Sequence, residues 1–235
     1  MQKGIVYLIP TILSDDESSY QSLPAYITAA IKECKVFFVE NERSARRFFK
    51  KCWKEMVIDD YEWFTIHKAE ETVKQDFIKC LNEGKNIGIV SEAGCPGIAD
   101  PGQILVDAAQ KENIIIKPLV GPSSVLLALM ASGMNGQQFS FHGYLPVDAG
   151  ERKKKIKELE NLSVQTNSTQ IFIETPYRNN ALISDMLQVC KPQTKLCIAY
   201  NITGEDESIK TKSIQQWKEQ NVPLEKKPVI FLLHA

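Results

Sequence analysis

The sequence predicts an α/β protein of two domains, and three observations carry that reading. Short apolar runs rich in Val, Ile and Phe alternate with stretches of helical period, which argues for largely parallel sheets with crossover helices. A length of 235 residues allows one large domain or two small ones, each with a proper core. The polar stretch MNGQQ (134–138) then interrupts the alternation, and a fresh strand follows it. The expected division is a first α/β domain over residues 1–118 and a second over 119–235, hinged near 119–121.

In chain order, GIVYLIP (4–10) reads as a buried strand and LPAYITAAIKEC (23–34) as a helix. VFFVE (36–40) is a second strand, followed by a helix over 42–56. A short strand near Phe64–His67 precedes a helix from Glu70 to Leu81, which Gly84 terminates. IGIVSE (87–92) is the next strand, and a helix begins after Pro101, a residue suited to a first helical turn. IIIKPLV (114–120) is a strand and GPSSVLLALMASG (121–133) a helix closed by Gly133. In the second half, strands are expected at 139–146, 170–176, 195–203 and 229–235, with ESIKTKS as a further candidate. Helices are expected at 150–162 and 178–190, and a short one at SIQQWKEQ.

Composition excludes several classes. Hydrophobic content of 43% and charge content of 24% are those of a soluble globular chain. No apolar run reaches the ~18 residues of a membrane span, and the N-terminal run lacks the length and cleavage site of a signal peptide. A cytoplasmic address without membrane contact is expected. Six cysteines and three histidines (His67, His142, His234) show no metal-ligand spacing, so no metal is expected. The sequence has no G-x-x-x-x-G-K-[ST], no G-x-G-x-x-G after a strand and no G-x-S-x-G, which argues against P-loop enzymes, common dehydrogenases and α/β-hydrolases.

Two loops stand out as sites of chemistry. IVSEAGCPGIADPG (89–102) lies where a parallel strand ends, the place at which open α/β sheets bind ligands. Gly94 and Gly97 permit close backbone approach, while Pro96 and Pro101 stiffen the loop before binding. In LVGPSSV (119–125), Ser123 and Ser124 open a helix, where they either cap it or offer free N–H groups to a polar ligand.

These two loops, followed by FHGYLP and IETPYR, resemble the tetrapyrrole methylase superfamily over nearly the whole chain. Within it the sequence is most similar to the ribosomal RNA small subunit methyltransferase I branch, with its S-D-A-G-T-P-x-I-x-D-P-G, G-P-S-A, F-x-G-F-L-P and Y-E-S-P-H-R in this order. The resemblance implies two α/β domains with a cleft between them for S-adenosylmethionine, a homodimer, and 2′-O-methylation of a cytidine in the small ribosomal subunit RNA. It places cofactor contacts on Pro10, Ala93, Gly94, Cys95, Ile98, Ser123, Ser124, His142, Asn201 and Ile202. The chain also departs from the branch. P-T-P-I-G-N-L becomes PTILSDDESS (10–19), E-D-T-R becomes ENER (40–43), and K-G-E becomes EKKPV (225–229). The C-terminal helices of many members are not expected beyond Ala235.

The acceptor is expected to be RNA, with a tetrapyrrole or other small anion, or a purely cofactor-binding role, as alternatives. Net charge is −1, so the whole-protein field does not call for a polyanion. NERSARRFFKKCWK nevertheless places Arg43, Arg46, Arg47, Lys50, Lys51 and Lys54 on one helical stripe, opposite Ala45, Phe48, Phe49, Cys52 and Trp53. A second basic run spans Arg152 to Lys155 with Lys157. Both runs read equally as phosphate contacts or as solvated faces. If a ribose hydroxyl is the acceptor, Asp100 is the first candidate to take its proton, with Glu92, Glu40 and Glu174 behind it. The alternative for Asp100 is a cap on the helix after Pro101. Arg178 reads as a structural partner of a nearby acid.

Overall fold

A computed structural model describes residues 3–66, 71–220, 224 and 226–235. His67, Glu70 and Glu225, singled out above, lie outside them. The chain divides into two units, Met1–Pro122 and Ser123–Ala235.

The apolar runs VFFV (36–39) and IGIV (87–90) become fully buried central strands in the first unit because both faces of its sheet are covered there. β1 (Val6–Ile9), β2 (Val36–Val39), β3 (Glu62–Thr65), β4 (Ile87–Val90) and β5 (Ile116–Pro118) pair in the order β3-β2-β4-β1-β5. Every pairing is parallel. Helices α1 (Ile27–Glu33), α2 (Glu42–Cys52), α3 (Glu71–Asn82) and α4 (Gln103–Lys111) provide the crossovers. One core layer gathers Val36, Phe38, Phe77, Leu81 and Leu105, and the other gathers Ile31, Phe37, Phe48, Phe49 and Met56. Gly88 is required between them, since a Cβ there would stand 2.7 Å from the Phe37 ring and 2.8 Å from Ile9.

The chain leaves β1 toward β2 on one side of the sheet and leaves β4 toward β5 on the other. Neighbouring β1 and β4 therefore meet at a topological switch point. Segment 119–122 belongs to this unit, a few residues past the expected boundary at 118. Leu119 N–H donates to Leu8 C=O at 3.1 Å, and the Cys95 thiol lies 3.5 Å from Pro122 C=O.

The second unit comprises α5 (Ser124–Ser132), β6 (Phe139–Tyr144), α6 (Ala149–Thr166), β7 (Thr169–Glu174), α7 (Asn179–Val189), β8 (Lys195–Tyr200), β9 (Ser208–Ser213), α8 (Ile214–Lys218) and β10 (Val229–His234). Its sheet runs β6-β7-β10-β8-β9. Only β6 and β7 are parallel, and the other three pairings are antiparallel, which corrects the expectation of largely parallel sheets. Two features explain the difference. The short link between β8 and β9 cannot carry a crossover helix, and the apolar β10 fills the gap that the β7–α7–β8 crossover leaves.

Several boundaries also moved. Helix α1 starts at Ile27 because a 3₁₀ turn, Glu17–Ser22, and Pro24 occupy the preceding chain. Helix α2 stops at Cys52, four residues early, where the Lys50 ammonium donates to the carbonyls of Lys54 and Met56. Helix α6 runs on to Thr166, four residues past its expected end, and stops at Asn167 in the left-handed region.

Candidate functional site

The switch point of the first unit is built from loops that hold one another by backbone. Thr11 N–H, just after β1, donates to Gly94 C=O at 2.9 Å, and Thr11 Oγ1 donates to Ser91 C=O at 3.3 Å. Gly121 packs so closely on Pro10 that a Cβ would fall 2.2 Å from the proline ring. Pro10, Gly94 and Cys95 are thereby brought to one strand end.

The loop after β4 then takes an unusual course. Gly94 (φ 75°), Gly97 (φ 82°) and Ala99 (φ 61°) all sit in the left-handed region, which glycine enters without strain. Asp100 organises this course. Its two carboxylate oxygens accept from Gly97 N–H at 2.9 Å and from Gly102 N–H at 2.7 Å. Burial raises its pKa above the ordinary carboxylate value, and the two N–H bonds oppose that shift. The N–H groups of Ala93, Gly94 and Cys95 donate no hydrogen bond among the described residues. No described residue other than its chain neighbours comes within 4 Å of where a Gly97 Cβ would stand, and Ile98 leaves 57% of its surface to solvent. Free donors next to an exposed apolar side chain suit a ligand with both acceptor oxygens and an apolar or aromatic part.

Three acids gather here. Glu40, at the end of β2, accepts from Glu92 N–H at 2.9 Å. Burial raises the Glu40 pKa, the Glu92 N–H lowers it, and the charges of Asp100 and Glu92 raise it further. The Cys95 thiol is also pushed up, by burial and then by Asp100, so it stays protonated and unreactive at neutral pH. Among the described residues no group of His, Cys, Asp and Glu is arranged to hold a metal ion.

The basic stripe of α2 is less uniform than its sequence. Ala45, Phe48 and Phe49 are buried as expected. Arg46 pairs with Glu42 and lies over the Trp63 ring, Lys50 donates to the Lys54 and Met56 carbonyls past the end of its helix, and Lys51 pairs with Glu17 at 2.7 Å. Arg43 and Arg47, one turn apart, have no ion pair among the described residues.

In the second unit the expected residues are mostly engaged. Ser123 caps α5, accepting from Leu126 N–H at 3.5 Å, and Ser124 is the first residue of that helix. His142 Nε2 lies 2.7 Å from Gln170 Oε1. Because the Gln170 amide nitrogen donates to Ser168 C=O, its oxygen faces the imidazole, and His142 Nε2 carries the proton. Asn201 is buried in the left-handed region (φ 45°) and bonds Asp206, while Ile202 is 5% exposed. Arg178 donates to Glu174 from Nε at 2.9 Å, the structural pairing read from the sequence. Glu174 Oε2 and Asn179 Oδ1 are buried with no hydrogen-bond partner among the described residues.

The second basic run is not a continuous phosphate face. Arg152 is 5% exposed and binds Asp185 through Nε at 2.7 Å and Nη2 at 2.5 Å. Lys153 shares Asp185 at 3.5 Å, and Lys155 pairs with Glu158. Only Lys154 and Lys157 lack an ion pair among the described residues.

An open parallel sheet with an N–H-bearing loop at its switch point defines a ligand-binding α/β protein. The chain belongs to the Tetrapyrrole (Corrin/Porphyrin) Methylases family, whose profile matches residues 22–217. It is 33% identical over 176 residues to Ribosomal RNA small subunit methyltransferase I of Vibrio cholerae, an alignment covering 73% of this chain and 60% of the relative. It is 30% identical over 213 residues to the protein of that name from Streptococcus pyogenes (91% and 70%), and 29% over 202 residues to that from Halalkalibacterium halodurans (82% and 65%). The matched region thus spans 60% to 70% of these relatives' own lengths.

Solved structures agree on the fold. The methyltransferase CobJ superposes with a TM-score of 0.64 at 15% identity, covering 99% of this chain and 94% of its own. Uroporphyrin-III C-methyl transferase from Thermus thermophilus, complexed with S-adenyl homocysteine, superposes with a TM-score of 0.58 at 14% identity, covering 99% and 98%.

Proposed function

We propose that this chain is a cytoplasmic, homodimeric methyltransferase that transfers the methyl group of S-adenosylmethionine to RNA, at a ribose 2′-oxygen of the small ribosomal subunit. The observation that carries the reading is the agreement between its named relatives and the loop after β4, where the N–H groups of Ala93, Gly94 and Cys95 donate no hydrogen bond among the described residues. That loop fits the cofactor, because acceptor oxygens and an adenine-sized ring match free donors and the exposed Ile98. When bound, the cofactor supplies an electrophilic methyl group, so the protein mainly orients and shelters.

In this reading Pro10, Ala93, Gly94, Cys95 and Ile98 form the first unit's share of the cofactor site. Ser123, Ser124, His142, Asn201 and Ile202 form the second unit's share, as the family resemblance implies. Arg43 and Arg47 take phosphates, while Arg46 and Lys50 support them from engaged positions. Asp100 shapes the cofactor loop and is the first candidate to accept the hydroxyl proton.

The test is methyl transfer from labelled S-adenosylmethionine into small ribosomal subunits from a strain lacking this gene, with the label mapped by mass spectrometry. Label on a ribose supports the reading. Label only in a tetrapyrrole, or none despite cofactor binding, contradicts it. Light scattering checks the dimer.

A further inference from the structure

The segment between β1 and α1 carries a run of three acids, Asp15-Asp16-Glu17, and it folds back on the basic helix α2. Packing and its own hydrogen bonds hold it there. Ile12, Tyr20 and Leu23 pack against the core layer that contains Phe48 and Phe49. The Tyr20 and Phe48 rings stack with centroids 6.1 Å apart, and the Lys51 ammonium covers the Tyr20 ring at 5.0 Å. The N–H of the fully buried Ser19 donates to Asp16 C=O at 3.0 Å, and Leu23 N–H donates to Tyr20 C=O at 3.2 Å. The acids are therefore fixed charges and not a loose tail.

Each acid is used differently. Asp16 serves its own segment, accepting from Ser14 Oγ at 2.9 Å. Glu17 is exposed and accepts from Lys51 Nζ at 2.7 Å. Asp15 is exposed, has no ion pair among the described residues, and lines the same cavity as Arg47. An exposed pair such as Glu17–Lys51 adds little to stability. Its consequence lies in the field outside the helix. A phosphate that approaches Lys51 must displace Glu17, and one that approaches Arg47 meets Asp15 across the same cavity.

We propose that Asp15 and Glu17 are specificity determinants, counter-charges that keep α2 from binding polyanions at large. An RNA is then retained only when contacts beyond α2 add to those of Arg43 and Arg47. The correct RNA loses some affinity as well, but a polyanion with only phosphates to offer loses most of its binding. The proposal rests on the RNA methyltransferase reading and deepens it, because it states how the enzyme refuses the wrong substrate. It also gives the altered segment 10–19 a role, since its three acids are what distinguish it from the related branch.

The experiment compares wild type with Asp15→Asn/Glu17→Gln. It measures fluorescence anisotropy of a labelled single-stranded RNA of unrelated sequence across a range of salt, and elution from immobilised heparin. At low salt the variant should bind the unrelated RNA on the order of tenfold tighter, and it should leave heparin at higher salt. Its slope of log K against log salt should steepen by roughly 0.7, the value of the one phosphate contact that Lys51 regains. Lys51→Ala sharpens the result. It should leave binding unchanged when Glu17 is present, because Glu17 already engages the ammonium, and weaken binding severalfold in the Glu17→Gln background. Unchanged or weaker binding of unrelated RNA and heparin by Asp15→Asn/Glu17→Gln would overturn the proposal, as would a Lys51→Ala loss of equal size with and without Glu17. Wild type that transfers no methyl group to small ribosomal subunits would break the RNA methyltransferase reading instead. The heparin arm needs no substrate RNA and keeps the two failures apart.

Discussion

The strand ends of the two units treat their polar groups in opposite ways. In the first unit, the loop after β4 leaves the N–H groups of Ala93, Gly94 and Cys95 free, and α2 leaves Arg43 and Arg47 unpaired among the described residues. In the second unit, Arg152 is locked to Asp185, Arg178 to Glu174 and Asn201 to Asp206. Among the described residues the exceptions there include Lys154 and Lys157, which have no ion pair, and the buried Glu174 Oε2, Asn179 Oδ1 and His234 Nε2, which have no hydrogen-bond partner. Charges that look alike in sequence thus divide into those that hold the fold and those left over for a ligand. The lesson is that a basic run identifies a partner only after its internal acids have been found.

The comparison can be broken most easily where a charge is buried. Arg152→Ala should destabilise the protein by about 3–5 kcal/mol, because it leaves Asp185 in the interior with only Lys153 at 3.5 Å. Urea unfolding measures this, and a change below about 1 kcal/mol, the value of an exposed pair, would place Arg152 with the surface charges.

A smaller effect on folding, with a larger one on binding, is expected at Gly94. Valine there would take a φ of 75° with its Cβ 3.2 Å from Pro122 C=O. Gly94→Val should cost roughly 1–3 kcal/mol in stability and abolish S-adenosylhomocysteine binding. Calorimetry that finds the affinity intact would remove this loop from the cofactor site.

Asp100→Asn comes next. Asparagine keeps one acceptor oxygen but turns an NH₂ group toward the second backbone donor, so about 1–2 kcal/mol should be lost. If cofactor affinity and turnover fall together, Asp100 acts by shaping the loop. If turnover falls alone, it takes the acceptor's proton.

The smallest effect depends on pH. Burial raises the Glu40 pKa above its ordinary 4.5, so the folded state binds this proton more tightly than the unfolded state does. The stability linked to it is full below pH 4.5 and is lost as pH rises through the raised value. Glu40→Gln keeps an acceptor for Glu92 N–H and should stabilise the protein at pH 7, with the gain shrinking on acidification. A gain that grows toward low pH would contradict the assignment.

Much of this was legible in the sequence for physical reasons that differ by element. The buried strands of the first unit announced themselves because a parallel sheet covered on both faces needs continuous apolar runs such as VFFV and IGIV. The loop after β4 was legible through Gly94 and Gly97, whose left-handed backbone few other residues accept. Order within the second sheet was not legible, since the placement of β10 between β7 and β8 depends on long-range pairing. Arg152 was misread for a related reason, because its partner Asp185 lies 33 residues away on α7. No periodicity shows such a pair.

The central claim is that the unpaired cations of α2 are the ones that meet RNA. It is tested most directly by the salt dependence of RNA binding in two double variants, Arg43→Ala/Arg47→Ala on α2 and Lys154→Ala/Lys157→Ala on α6. Removing one cation that neutralises a phosphate of a single strand should lower the slope of log K against log salt by roughly 0.7. The account predicts a slope reduced by about twice that in the α2 variant and an unchanged slope in the α6 variant. An unchanged slope in the α2 variant, or a reduction confined to the α6 variant, would contradict it.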